Sequence, residues 1–158
     1  MSDRIRLNDL KDILELLYEK LGAFEKRLII SDSEPANFEL KQRIKREILP
    51  DIRKYETEYW ELYPQEAIVI SDEEAETQLV KVEEAVTSIE QIPSSNYPLE
   101  LISLLQEIRD KLDDNQAASV KLKLVIPLIP AIASYELEIE TEGLMYKAWK
   151  KIKGMVRR

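Results

Sequence analysis

Apolar residues recur at 4-3-4-3-4 spacing from Leu10 through Leu14, Leu17, Leu21, Phe24 and Leu28. This is the seam of an amphipathic helix, and Ile13 and Leu16 widen it enough to meet more than one neighbour. With Asn8 as N-cap, the pattern predicts a first helix over 8–30. Ser33 or Asp32, with Pro35 in the first turn, signals a second start, and Ile44, Ile48, Ile52, Tyr55 and Tyr59 carry that helix onward. Pro50 lies inside the run and, lacking an N–H, is expected to kink it. Residues 64–70 make a connection whose apolar stretch, Ala67 to Ile70, fits either a packed loop or a short strand. Ser71 and Glu74 then form a capping box, followed by the stripe Ala75, Leu79, Val82, Val86 and Ile89. A turn at 92–98 leads to Leu101, Leu105, Ile108 and Leu112. Four amphipathic helices joined by short loops read as an antiparallel bundle over 1–115.

The period changes after the polar stretch that ends at Ser119. Val120, Leu122, Leu124 and Ile126 alternate with Lys121 and Lys123; beyond Pro127 and Pro130, Tyr135, Leu137 and Ile139 alternate with Glu136, Glu138 and Glu140. Period-2 alternation on both arms predicts an antiparallel β-hairpin, its lysine and glutamate faces opposed across the strands. Gly143 ends the second arm. A short helix follows, with Leu144, Met145, Ala148, Trp149, Ile152, Met155 and Val156 on one face and Lys147, Lys150 and Lys151 on the other. The expected fold class is therefore α+β, mainly α: a four-helix bundle (1–115), then a β-hairpin with a basic C-terminal amphipathic helix (116–158), packed with the bundle as one domain.

The hairpin tip poses a physical problem. Ile126, Leu128, Ile129 and Ile132 surround a turn where ribbons usually carry polar residues, and exposing all four would forfeit on the order of 6–12 kcal/mol. The bundle, the last helix, another subunit or lipid must cover them. The prolines read as protection of the ribbon's edge. Together with Tyr135, these four residues are the candidate protein interface. Lys147, Trp149, Lys150, Lys151 and Lys153 are the candidate membrane contact, because a basic helix with an aromatic anchor suits an anionic bilayer surface; docking on the acidic body is the competing explanation.

Charge sharpens this picture. The net charge of −8 divides into +6 on residues 144–158 and −14 on the remaining residues. Such a balance argues against nucleic-acid binding. Histidine and cysteine are both absent, which removes the usual general base, the thiol nucleophile and the imidazole or thiolate metal ligands. Three glycines leave no phosphate-cradling loop. The carboxylate pairs Glu73/Glu76 and Glu83/Glu84 read as solvated helix faces, and the cluster Tyr55, Tyr59, Trp60 and Tyr63 as core and helix contacts. No enzyme activity, cofactor, metal or small-molecule substrate is expected. The absence of cysteine and of an apolar leader points to the cytoplasm, with peripheral membrane contact as the alternative.

Two stretches, "LNDLKDILELLYEKLGAFEKRLIISDSEPANFELKQRIKREILPDIRKYETEYW" and "KLKLVIPLIPAIASYELEIETEGLMYKAWKKIKGM", resemble N-terminal helical effector-associated modules of cyanobacterial STAND- and NACHT-type signalling and defence proteins. The resemblance implies an adaptor or assembly role and carries no catalytic residue. The functional expectation is a non-enzymatic protein-interaction or oligomerisation module; the alternative is a membrane-engaging or pore-forming effector using the apolar tip and the basic helix.

Overall fold

The computed structural model describes residues 2–93 and 97–156, and helices carry nearly all of it: α1 (Ser2–Ile30), α2 (Glu34–Arg43), α3 (Leu49–Leu62), α4 (Asp72–Glu90), α5 (Leu99–Leu112), α6 (Ala118–Val125), α7 (Ile129–Glu138) and α8 (Leu144–Val156). No strand occurs among the described residues. The chain forms two compact units, Met1–Leu62 and Tyr63–Arg158, so a boundary falls inside the segment predicted as a 1–115 bundle.

The first unit is a helical hairpin. Its core includes Leu10, Leu14, Leu21 and Phe24 from α1 and Leu40, Ile48, Leu49, Ile52, Tyr59 and Trp60 from the returning arm. α1 begins at Ser2, ahead of the predicted Asn8 cap. Ser33 is the N-cap of α2; its hydroxyl accepts the Ala36 N–H at 3.4 Å, with Pro35 in the first turn. The expected disturbance at Pro50 takes the form of a π-turn over Ile44–Ile48, where the Leu49 N–H reaches back five residues to the Ile44 carbonyl. A proline ring collides with the carbonyl four residues earlier in a regular helix, and one widened turn is a common accommodation. Arg6 donates to both carboxylate oxygens of Glu58 at 2.6 and 2.9 Å, and Tyr18 donates to buried Glu56 at 3.1 Å. The Arg43 guanidinium lies 4.9 Å above the Phe24 ring.

The second unit is built around α4, which packs against α5, α6 and α8, while α7 packs on α5 and α8. Ser71 is the N-cap of α4; its hydroxyl accepts the Glu74 N–H at 3.1 Å and donates to the Glu74 carboxylate at 3.2 Å. Its predicted stripe is buried, as is that of α5. In the 64–70 connection a 3₁₀ turn spans Gln65–Ala67, and the apolar stretch is a loop that packs through Ile68 while Val69 stays exposed. The predicted turn at 92–98 falls partly outside the described residues.

The β-hairpin, and with it the α+β class, is overturned: residues 118–138 form α6 and α7, joined by a turn at 126–128 and bent by 53°. The same letters carry a second period. Leu122, Val125, Ile126, Ile129, Ile132, Ala133 and Glu136 recur at three and four, and all seven are buried. Val120, which began the alternation, is 42% exposed. A helix satisfies its own backbone, whereas a two-stranded ribbon is marginal in water; the helical solution also puts the apolar residues against α4, α5 and α8. The prolines change roles accordingly. Pro127 lies in the break between helices, and Pro130 occupies the first turn of α7, where a missing N–H costs nothing.

Candidate interaction surface

Side chains from elsewhere in the second unit close several of its helix ends. Asp72 accepts the Ser119 N–H at the start of α6 at 3.0 Å, and hydrogen bonds from Ser119 hold its pKa below the usual range. Lys121 donates to the Leu112 carbonyl at the end of α5 at 2.9 Å, and the Tyr97 hydroxyl donates to the Ile89 carbonyl at the end of α4. Glu136 serves the start of α8: its two carboxylate oxygens accept the Met145 and Tyr146 N–H groups, each at 3.0 Å. This carboxylate, expected on the solvent face of a strand, is 2% exposed. Desolvation pushes its pKa up, against the pull of those two N–H groups and of Lys147.

The segment between α7 and α8 is shaped around that contact. Glu140, at φ 57°, takes the left-handed position after α7. The Glu140 N–H reaches the Leu137 carbonyl and the Thr141 N–H the Glu136 carbonyl, a Schellman-type ending. Gly143, at φ 74°, then turns the chain into α8; a Cβ there would lie 3.9 Å from the Glu136 carboxylate.

This architecture reassigns the predicted site residues. Ile126, Ile129, Ile132 and Tyr135 are buried and Leu128 is half-buried, so the chain itself covers the apolar tip and these residues form core. Trp149, 1% exposed, is likewise core and so is no surface anchor for the basic helix. Lys147, Lys150 and Lys151 are exposed, and Lys153 is half-buried. Among the described residues no ion pair engages Lys147, Lys150 or Lys151; Lys150 lies 4.8 Å from the Tyr146 ring centroid. Of the tyrosine cluster, Tyr59 and Trp60 are buried edge-to-face at 5.0 Å, while Tyr55 and Tyr63 are half-buried.

The exposed side of α4 is the second half of the surface. Glu83 and Glu90 engage Arg109 of α5 at 3.5 and 2.6 Å, whereas Glu73, Glu76 and Glu84 have no ion-pair partner among the described residues. Val80 stands between them, 52% exposed, at the edge of an open depression of about 410 Å³ that also takes in Glu83, Glu84 and Thr87. α8 packs directly along α4. Lys81 and Lys151 meet across that seam: hydrogen bonding and repulsion from the Lys151 ammonium lower the Lys81 pKa, and Glu84 opposes the shift. The unpaired carboxylates and lysines therefore occupy adjoining stripes. The sequence exposed the lysine stripe through its helical period; the α4 stripe was explained as an ordinary solvated face, and no sequence signal set it beside α8.

Elsewhere, Ile29, Ile30 and Phe38 are exposed near the turn between α1 and α2, and Ile5 and Leu16 along α1. Among the described residues no group of three or more acidic side chains gathers as a metal site would require. Among the described residues no single helix is long and apolar enough to cross a membrane; α6 and α7 pass that test only as a bent pair. No family model, curated protein or solved structure matches this chain.

Proposed function

We propose that this chain is a non-enzymatic protein-interaction module, serving a bacterial signalling or defence assembly of the kind its sequence resembles, and that it engages its partner through the α4–α8 surface. The carrying observation is the pair of adjoining stripes: exposed Lys147, Lys150 and Lys151 beside exposed Glu73, Glu76 and Glu84, none of the six in an ion pair among the described residues. Charges arranged in this way contribute partner choice and encounter rate more than raw affinity. The lack of histidine and cysteine further supports a role without covalent or acid–base chemistry.

The test is co-expression with the proteins encoded beside its gene, comparing the native chain with the triple variant K147E/K150E/K151E. A stable association lost in the variant, at unchanged helicity, is the expected outcome. Associations that all survive the reversal would overturn the reading.

A second reading, engagement of an anionic membrane, draws on the lysine stripe and the bent apolar pair α6–α7. Cosedimentation of the native chain with phosphatidylserine vesicles, abolished by the same triple variant, would favour it over the first.

A further inference from the structure

The two stripes have opposite sign, lie on adjacent helices and meet where Lys81 faces Lys151. An anionic membrane or a uniformly acidic protein would attract the lysines and repel Glu73, Glu76 and Glu84 beside them. A uniformly basic partner would meet the converse difficulty. A surface with the same two stripes in reversed order satisfies both at once, and a two-fold axis lying along the α4–α8 seam generates that surface from a second copy of this chain, with Lys81 and Lys151 of both copies nearest the axis and the outer parts of the stripes opposed in sign. Each α8 then faces the partner's α4, an isologous contact in which every lysine–carboxylate pairing occurs twice.

We infer that the chain pairs with itself through this surface, Lys147 and Lys150 of one copy meeting Glu73, Glu76 and Glu84 of the other, with Val80 at the centre of each half. The inference rests on the reading above and names its partner. Size sets the strength of the contact. The 19 residues of α4 make a face about 28 Å long, and two such neighbouring helix faces fall short of the ~800 Å² per partner of a standard interface. The pairing is consequently weak, reversible and sensitive to local concentration, as suits a module that assembles when other parts of a system bring copies together.

Sedimentation velocity of the full chain over a concentration series tests it. The expected result is a monomer–dimer equilibrium that weakens at least about tenfold between ~0.1 M and ~1 M salt, as screening shortens from about 10 Å to about 3 Å. The lysine-reversed chain (K147E/K150E/K151E) and a carboxylate-reversed chain (E73K/E76K/E84K) each remain monomeric alone, and mixing them restores a dimer. Circular dichroism checks that both are folded; if either is not, the neutral variants K147Q/K150Q/K151Q and E73Q/E76Q/E84Q are used, each expected to weaken the native dimer. A native chain that stays monomeric throughout overturns the inference, as does self-association that persists in either reversed chain or a mixture that fails to dimerise. A monomeric native chain that still binds a neighbouring gene's product through its lysines would overturn the self-pairing while leaving the interaction-module reading intact.

Discussion

The segment 118–138 and helix α8 adjoin in sequence and pack against each other in space, yet the fold uses them differently. α6 and α7 are enclosed from several sides: Leu122, Ile126, Ile129 and Ile132 are all at or below 1% exposure, and even Glu136 is buried. α8 buries one stripe, anchored by Trp149, and gives its other face to solvent. Enclosed positions carry stability, because each lost methylene leaves a cavity. Exposed charges add little to folding and remain free to act on other molecules. The comparison separates two roles that the sequence alone had merged, since Ile126, Ile129 and Ile132 were first read as contact residues.

Substitutions can break or sharpen that comparison. The largest expected effects lie in the core: Trp149→Ala costs about 3–5 kcal/mol and Ile132→Ala about 2–5 kcal/mol, read from urea unfolding monitored by far-ultraviolet circular dichroism. An interface role for Ile132 would instead leave the midpoint near the native value. Glu136→Ala comes next, at about 2–4 kcal/mol, because two N–H groups at the start of α8 lose a charged acceptor; hydrogen exchange at Met145 and Tyr146 should accelerate selectively. The glycines flanking and within α8 should respond with opposite signs. Gly143→Ala places a Cβ at φ 74° and costs about 1–2 kcal/mol, whereas Gly154→Ala, with nothing within 4 Å of the added methyl, stabilises by about 0.5–1 kcal/mol. Matching signs in thermal melts would contradict this account. The smallest stability effect belongs to the lysine stripe: K147E/K150E/K151E shifts unfolding by no more than about 0.5 kcal/mol per site.

The buried carboxylate also gives the comparison a pH dependence. The folded-state pKa of Glu136 is raised, so its contribution is fully present below its unfolded pKa of about 4.3 and declines as pH rises through the folded value. The stability of the native chain relative to Glu136→Gln should therefore fall as pH rises across that interval, while helix content stays constant. Asp72 runs the other way. Its lowered pKa gives stability present above about 3.9 and lost as pH falls through the folded value. A native-minus-variant difference that is flat with pH would show that burial of Glu136 has no proton linkage.

Much of the secondary structure was legible. Long seams spaced at three and four, as in α1, α4 and α5, identify their helices because only one backbone period places Leu10, Leu14 and Leu21, or Ala75, Val82 and Val86, on a common side. The caps at Ser33 and Ser71 and the lysine face of α8 follow from equally local rules. The segment 120–140 was not legible, for a stated reason: an eight-residue stretch such as α6 fits period 2 and period 3.6 alike, and strand or helix is settled by what lies alongside. Glu136 was misread for the same cause, since alternation assigned it to solvent while the N-terminus of α8, nine residues on, supplies it with donors.

By itself, the sequence determined the long helices, their buried stripes, the absence of histidine and cysteine chemistry and the uneven distribution of charge. These are properties of composition and of neighbours within a few residues. Only the tertiary structure decided that 118–138 is helical, that its isoleucines and Trp149 are core, that Glu136 closes α8, and that the α4 carboxylates adjoin the α8 lysines. Each of those outcomes depends on groups distant in the chain meeting in space, where burial and hydrogen bonding outweigh local preference.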